Sequence, residues 1–147
     1  MRDSIGGSVI IMIIVFFLVF ASAYLAYNVN YMKAFNMKNK IISLYEKYDG
    51  DCNTSCGKEI AAYAKSIGYN PASLNCNKYA NKGVNGLYCY TEVQATKSTS
   101  SYIWKDGTDY YYFTIMTKVD INIPIVSNTL GFDIQTLSGD TELFKRG

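Results

Sequence analysis

Four cysteines are the residues best equipped for chemistry in this chain: Cys52, Cys56, Cys76 and Cys89. Thiolates in close pairs chelate zinc, whereas an even number of thiols in a short segment forms disulfides. Structural zinc sites usually draw on two close pairs, each clasping the metal from one turn. Here the gaps are three, nineteen and twelve residues, so only the first pair is close. The spacing therefore favours two disulfides, and with them an oxidising compartment outside the cytosol. Three connectivities are open to four cysteines. Cys76 with Cys89 is preferred, because these two flank the Asn- and Gly-rich turn NKGVNG, and that choice leaves Cys52 with Cys56.

Other catalytic vocabulary is thin. The chain has no histidine, the side chain most used for proton transfer and metal binding near neutral pH. The carboxylates Asp49, Asp51, Glu59, Glu92, Asp106, Asp120, Asp133, Asp140 and Glu142 show no calcium-loop spacing and no acid–base pair motif. There is no phosphate-cradling glycine loop, nucleophile elbow or Ser/Lys dyad motif. We expect no enzyme, metal, cofactor or small-molecule substrate. Net charge is +2, with 14 Lys and Arg scattered among 12 acids. That leaves no basic face of the kind phosphate backbones demand, so nucleic acid is not an expected partner. Among the 14 tyrosines the run Tyr110 to Tyr112 stands out. On strand alternation Tyr111 shares the face of Phe113, while Tyr110 and Tyr112 point outward as an exposed aromatic pair suited to docking a neighbour or a surface. The plainer reading is an ordinary tyrosine-rich sheet face.

These side chains must be positioned by 147 residues, which allow a membrane segment plus one small domain. Residues 5 to 32 carry no charge; as a helix they run about 40 Å, enough to cross roughly 30 Å of hydrocarbon. Three uses compete for such a block: a removable secretory signal, a permanent span, or the assembly helix of a filament subunit. Ala21-Ser22-Ala23 offers a signal-like exit. Against removal, the sequence continues from Tyr24 to Tyr48 without Pro or Gly. Apolar residues recur at Tyr24, Tyr27, Tyr31, Ala34, Phe35, Ile41, Ile42, Tyr45 and Tyr48, one helical stripe interrupted by Lys38. A single helix from about Ile5 to Tyr48 is expected, ended by Asp49-Gly50-Asp51. The stripe is expected to pack on the chain's own C-terminal domain, with contact to other subunits as the second reading.

The expected organisation is residues 1–8 as a cytoplasmic start, 9–27 as the transmembrane helix, 28–48 as its amphipathic continuation, and 49–147 as an extracytoplasmic αβ domain. Lys33, Lys38 and Lys40 follow the span, and the positive-inside rule alone would place the domain in the cytoplasm. The cysteines argue the opposite, and we side with them. Within the domain, Asn53 to Ser55 cap a short helix carrying Ile60, Ala61, Ala64 and Ile67, stopped by Gly68 and Pro71. From Leu87 the period becomes two. LYCYTEVQAT, the runs on either side of Asp106-Gly107, FTIMTKVDINI, and Leu130-Phe132-Ile134-Thr136 read as antiparallel strands. Ser138-Gly139-Asp140 reads as a turn. The class is α+β: a long N-terminal helix packed on a small antiparallel sheet of three to four strands.

A short charged start, glycines, RDSIGGSVIIMIIVFFLVF without a break, and the closing segment VDINIPIVSNTLGFDIQTLSGDTELF together resemble the pilin and pseudopilin superfamily. The nearest likeness is to TadE/TadG-like minor pseudopilins of bacterial tight-adherence pili. The resemblance implies a pilin-like fold, cleavage after Gly7 or Gly6 by a prepilin peptidase, and packing of the apolar helix with other pilin-like subunits in a filament or its assembly platform. It implies a bacterial cell membrane as the location. The chain departs from the family where pilins carry a Glu five residues after the cleavage glycine: Met12 stands there counting from Gly7, and Ile11 counting from Gly6. A minor, priming or tip component fits that departure better than a major subunit. The competing reading is a single-pass anchored binding or sensor domain that forms no filament.

Overall fold

The computed structural model of the chain describes residues 2–71, 74–76, 80–95, 110–119 and 136–145. α1 (Arg2–Lys47) is one uninterrupted helix of 46 residues, about 69 Å long at 1.5 Å per residue. It stops where Asp49 and Gly50 take up φ of +50° and +81° and the Gly50 N–H donates to the Tyr45 carbonyl at 2.8 Å. Gly50 is required twice over. Its φ is left-handed, and the Phe113, Tyr111 and Phe144 side chains come within 3.3 Å of the place a Cβ would occupy.

α2 (Thr54–Ile67) returns along α1. Asn53 caps it by accepting the Ser55 N–H at 3.1 Å, and Gly68 closes it in the left-handed region while Tyr69 N–H donates to the Ala64 carbonyl at 2.9 Å. Gly57 is buried in the first turns, where its missing side chain admits Val84 from the turn that precedes the sheet's second strand.

The sheet is antiparallel throughout, built from β1 (Asn81–Lys82), β2 (Cys89–Ala95), β3 (Tyr110–Lys118), β4 (Thr136–Asp140) and β5 (Phe144–Lys145), in the order β1-β2-β3-β4 with β5 also on β3. Thr114 faces Asp140 and Tyr111 faces Phe144, so three steps along β3 match four along the last strand. The extra residue is a bulge. Thr141 mends it: its N–H donates to the Phe113 carbonyl and its Oγ1 accepts the Phe113 N–H, both at 2.9 Å. β4 and β5 are thus two pieces of one edge strand, and the architecture is a four-strand sheet under a long helix. This is the expected α+β class, in a layout consistent with a pilin-like arrangement.

Ser138-Gly139-Asp140, expected as a turn, is instead the end of β4. The glycine serves the crossing helix: a Cβ on Gly139 would stand 3.0 Å from Ile42 Cδ1 and 3.2 Å from Lys38 Cδ. A glycine inside a strand here marks close approach of a neighbour rather than reversal. The Asp106-Gly107 turn, the 120–123 end of the expected third strand, and Leu130, Phe132 and Ile134 lie outside the described residues.

The core forms where the lower third of α1 meets β3 and α2. Ala34, Met37, Ile41, Leu44 and Tyr45 from α1 pack with Ile60 and Ala64 of α2 and with Phe113, Ile115 and Val119 of the β3 segment, all buried. Thr117, the polar member of that β3 row, is also fully buried, and its hydroxyl donates to the Ala34 carbonyl at 3.1 Å. Tyr69 finishes β3 by donating its hydroxyl to the Lys118 carbonyl and accepting the Lys118 N–H, both at 3.0 Å. The expected stripe is corrected in its upper half: Tyr24, Tyr31 and Phe35 are exposed, the two tyrosines because they precede Ala34, where the buried run of α1 begins, and Phe35 because it lies off the face that carries Ala34, Met37 and Ile41. Met37 and Leu44, absent from that stripe, are core.

One contact isolates packing from backbone effects. Gly83 has an ordinary extended backbone (φ −74°), yet a Cβ there would overlap the buried Tyr88 ring. Gly83→Ala is expected to destabilise the domain by about 2 kcal/mol or more. Chemical unfolding followed by near-UV circular dichroism checks this, and an unchanged midpoint would contradict it.

Candidate functional site

Among the described residues the most distinctive surface is the exposed half of α1, with the domain end it enters. Every residue from Gly6 to Phe20 is exposed, including Phe16 at 74% and Met12 at 75%. A continuous apolar surface of that extent is foreign to a monomer in water. Among the described residues, α1 is the one helix long and apolar enough to cross a membrane, so the chain is suited to membrane association through this segment. Gly6 and Gly7 are helical, with open space where a Cβ would be. Ile11 and Met12 sit in the same apolar run and offer no acid to a neighbour.

Where it enters the domain the helix carries an aromatic ladder. Tyr27 and Tyr31 have ring centroids 6.2 Å apart, and Tyr31 and Phe35 are 6.4 Å apart in a stacked arrangement, as the i, i+4 spacing allows. Lys38 lays its ammonium 4.8 Å from the Phe35 ring centre and Lys33 ends beside Gly68, at the C-terminus of α2. A lysine suits that position, since the carbonyls of a helix end carry partial negative charge.

In the domain, disulfides join Cys52 to Cys56 and Cys76 to Cys89 with Cα separations of 5.1 and 5.6 Å, the pairing preferred from the flanking turn. The first closes the entry to α2. The second fastens the connection after α2 to the first residue of β2, a link worth about 3 kcal/mol in a chain-entropy account. All four sulfurs are therefore engaged, and none is left to ligate zinc. Among the described residues no three His, Cys, Asp or Glu side chains converge as a metal site. A groove of about 450 Å³, lined by Cys52, Asn53, Gly57, Lys58, Val84 and Asn85 among others, opens broadly to solvent and brings one titratable side chain, Lys58, to its wall. Tyr110 and Tyr112 lie half-buried on the β3 face opposite Phe113, cross-strand from Ala95 and Val93. They are not brought near Gly6 and Gly7, nor near the disulfides.

An aromatic cluster escaped the sequence reading. Tyr45 from α1, Tyr88 and Tyr90 from the β2 end, and Phe113, Tyr111 and Phe144 from the sheet pack with neighbouring centroids 5.0 to 6.3 Å apart. The signal was present as tyrosines at strand period around the cysteines, but only tertiary contact reveals their shared centre. The hydroxyls of Tyr45 and Tyr88 lie 3.2 Å apart, buried. Burial pushes both above the usual tyrosine value. Their shared hydrogen bond adds to the rise at Tyr45 and opposes it at Tyr88, where burial wins. Nearby, at the exposed turn, Tyr48 donates to Glu59 at 2.6 Å and Lys47 pairs with the same carboxylate at 3.3 Å. These two partners, Tyr48 foremost, hold the Glu59 carboxyl below its ordinary value. The contact fastens α1 to α2.

Comparison with family models, with curated proteins and with solved structures finds no match to this chain.

The buried tyrosine pair sets an alkaline limit. A phenol whose folded value is raised contributes stability that is complete below the unfolded value near 10 and is lost as pH climbs through the folded value. Domain stability is therefore expected to fall above about pH 10, with phenolate absorbance appearing together with loss of near-UV dichroism. The variant Tyr45→Phe/Tyr88→Phe, which removes both hydroxyls at once, is expected to weaken that dependence. Early, non-cooperative ionisation of all tyrosines would contradict the burial argument.

Proposed function

We propose that the protein is a non-enzymatic, single-pass, membrane-anchored pilin-like component of a bacterial tight-adherence-type pilus, adhesion or secretion apparatus. In this reading the N-terminus lies in the cytoplasm and the αβ domain outside. The observation that carries it is the division of one helix: residues 6–20 are wholly exposed and apolar, while Ala34 to Tyr45 of the same helix form the domain core. An anchor joined by a loose linker would let the domain swing. An anchor that is also the core fixes the domain's orientation to the span, which is what ordered assembly of subunits requires. Two disulfides support an oxidising exterior. Lys33, Lys38 and Lys40, which argue for the opposite orientation, are half-buried on the stretch of α1 that packs in the domain rather than presented in a free loop.

The partners in this reading are the membrane, other pilin-like subunits and a prepilin peptidase acting at Gly6 or Gly7. Cleavage there would require the first turns of α1 to open, and the glycine pair makes that opening easier by about 1 kcal/mol per residue relative to alanine. A second reading draws on Ile11 and Met12: with no acid to pair with a neighbour's new N-terminus, the helix serves as a plain anchor for a binding or sensor domain that forms no filament.

Two measurements separate these accounts. Intact-mass determination on membrane-extracted protein is expected to find the loss of six or seven N-terminal residues, whereas a retained N-terminus favours the plain anchor. Protease treatment of intact cells is expected to reach the domain, and complete protection would overturn the exterior assignment.

A further inference from the structure

The domain carries its charges unevenly along the axis of α1. Thr117 of β3 bonds to Ala34 and Phe113 packs on Tyr45 with ring centres 5.0 Å apart, so β3 runs antiparallel to α1 and its C-terminal end faces the apolar span. α2 also runs back toward the span: its first turns touch Tyr48 and its last touches Lys33. Strand register then places the side chains of the sheet by height. Lys82 faces Cys89, which faces Met116, placing it at the span-facing end with Lys33, Lys38 and Lys65. In the far half lie Glu46, Asp49, Asp51, Glu59, Glu92 and Glu142, with Asp140 at the level of Thr114. Among the described residues the span-facing end of the domain therefore holds lysines and no acid; one of these lysines, Lys118 at the end of β3, is buried. Lys65 and Lys82 are exposed, and Lys33 and Lys38 are half-buried.

The height of the bilayer follows from the same helix. Twenty residues from Gly6 reach Leu25 and cover about 30 Å, the thickness of the hydrocarbon. Tyr24, Tyr27 and Tyr31 then fall at the headgroup level, where amphipathic rings are favoured. Tyr31 is followed within three residues by Ala34, which is fully buried in the domain. About 5 Å of helix separates the two, so no free stalk intervenes.

Resting on the membrane-span reading above, we infer that the span-facing end of the domain, with Lys33, Lys65 and Lys82 as its cationic contacts and Tyr24, Tyr27 and Tyr31 as its interfacial ladder, docks on the anionic headgroups of the leaflet it emerges from. The partner is a lipid surface bearing phosphate groups. Each lysine within a few ångströms of such a surface gains electrostatic attraction that falls away within a Debye length. The far-end Lys47 and Lys58 are too distant to take part.

Amine-reactive footprinting of the full chain in vesicles tests this with its own internal control. Vesicles of phosphatidylcholine alone are compared with vesicles containing three parts in ten phosphatidylglycerol, and labelling is read at each lysine by mass spectrometry. Lys33, Lys65 and Lys82 are expected to react about fivefold more slowly in the anionic vesicles, with Lys47 and Lys58 unchanged and the difference removed by high salt. Equal protection across all lysines, or none, would overturn the docking inference while leaving the span intact. Failure of the chain to float with either vesicle would overturn the span reading and this inference with it.

Discussion

A single helix has to satisfy two surroundings, and everything else in the molecule follows from that constraint. From Val9 to Phe20 α1 offers only apolar side chains, and all of them are exposed. From Ala34 onward one face of the same helix is fully enclosed. No proline, loop or kink separates the two regimes, so the helix cannot adjust one without turning the other. The Thr117 hydroxyl on the Ala34 carbonyl sits at the boundary and fixes where the enclosed region begins. Below it Met37, Ile41, Leu44 and Tyr45 key the helix into β3.

The remaining elements act to hold that seam closed. The sheet buries one face on α1, and α2 covers the flank. Small residues set the distances: Gly139 lets Ile42 and Lys38 approach β4, Gly57 lets Val84 approach α2, and Gly83 lies against the Tyr88 ring. The bulge at Thr141 bends the edge strand so that Phe144 joins the aromatic cluster under Gly50. Two disulfides fasten the connections that the small core cannot hold by burial alone.

Much of this was legible in the residues. The uninterrupted helix, its stop at Asp49-Gly50, the Asn53 and Gly68 ends of α2, and the alternation Phe113, Ile115, Thr117, Val119 all follow from local rules of capping and period. The turn NKGVNG between Cys76 and Cys89 favoured the pairing that the structure has. What local rules could not supply was the rotation and height of the contact between elements. Tyr24 and Tyr31 continue a helical stripe in sequence but stand above the domain, whereas Met37 and Leu44 are buried and Phe35 is exposed because the sheet approaches from a slightly different side. Gly139 looked like a turn because a glycine's need for space and its taste for turns leave the same mark. The tyrosine cluster draws on α1, β2, β3 and β5, and so has no local signature.

The central claim is continuity: the helix long and apolar enough to cross a membrane is the helix that forms the core. Double electron–electron resonance on the full chain in lipid nanodiscs, with spin labels introduced through non-thiol chemistry at the exposed positions Ser22 and Asn39, tests it most directly. A continuous helix predicts one narrow distribution corresponding to a backbone separation of about 26 Å. A broad or markedly shorter distribution would mean that the helix bends or breaks at the membrane surface, and would contradict the account.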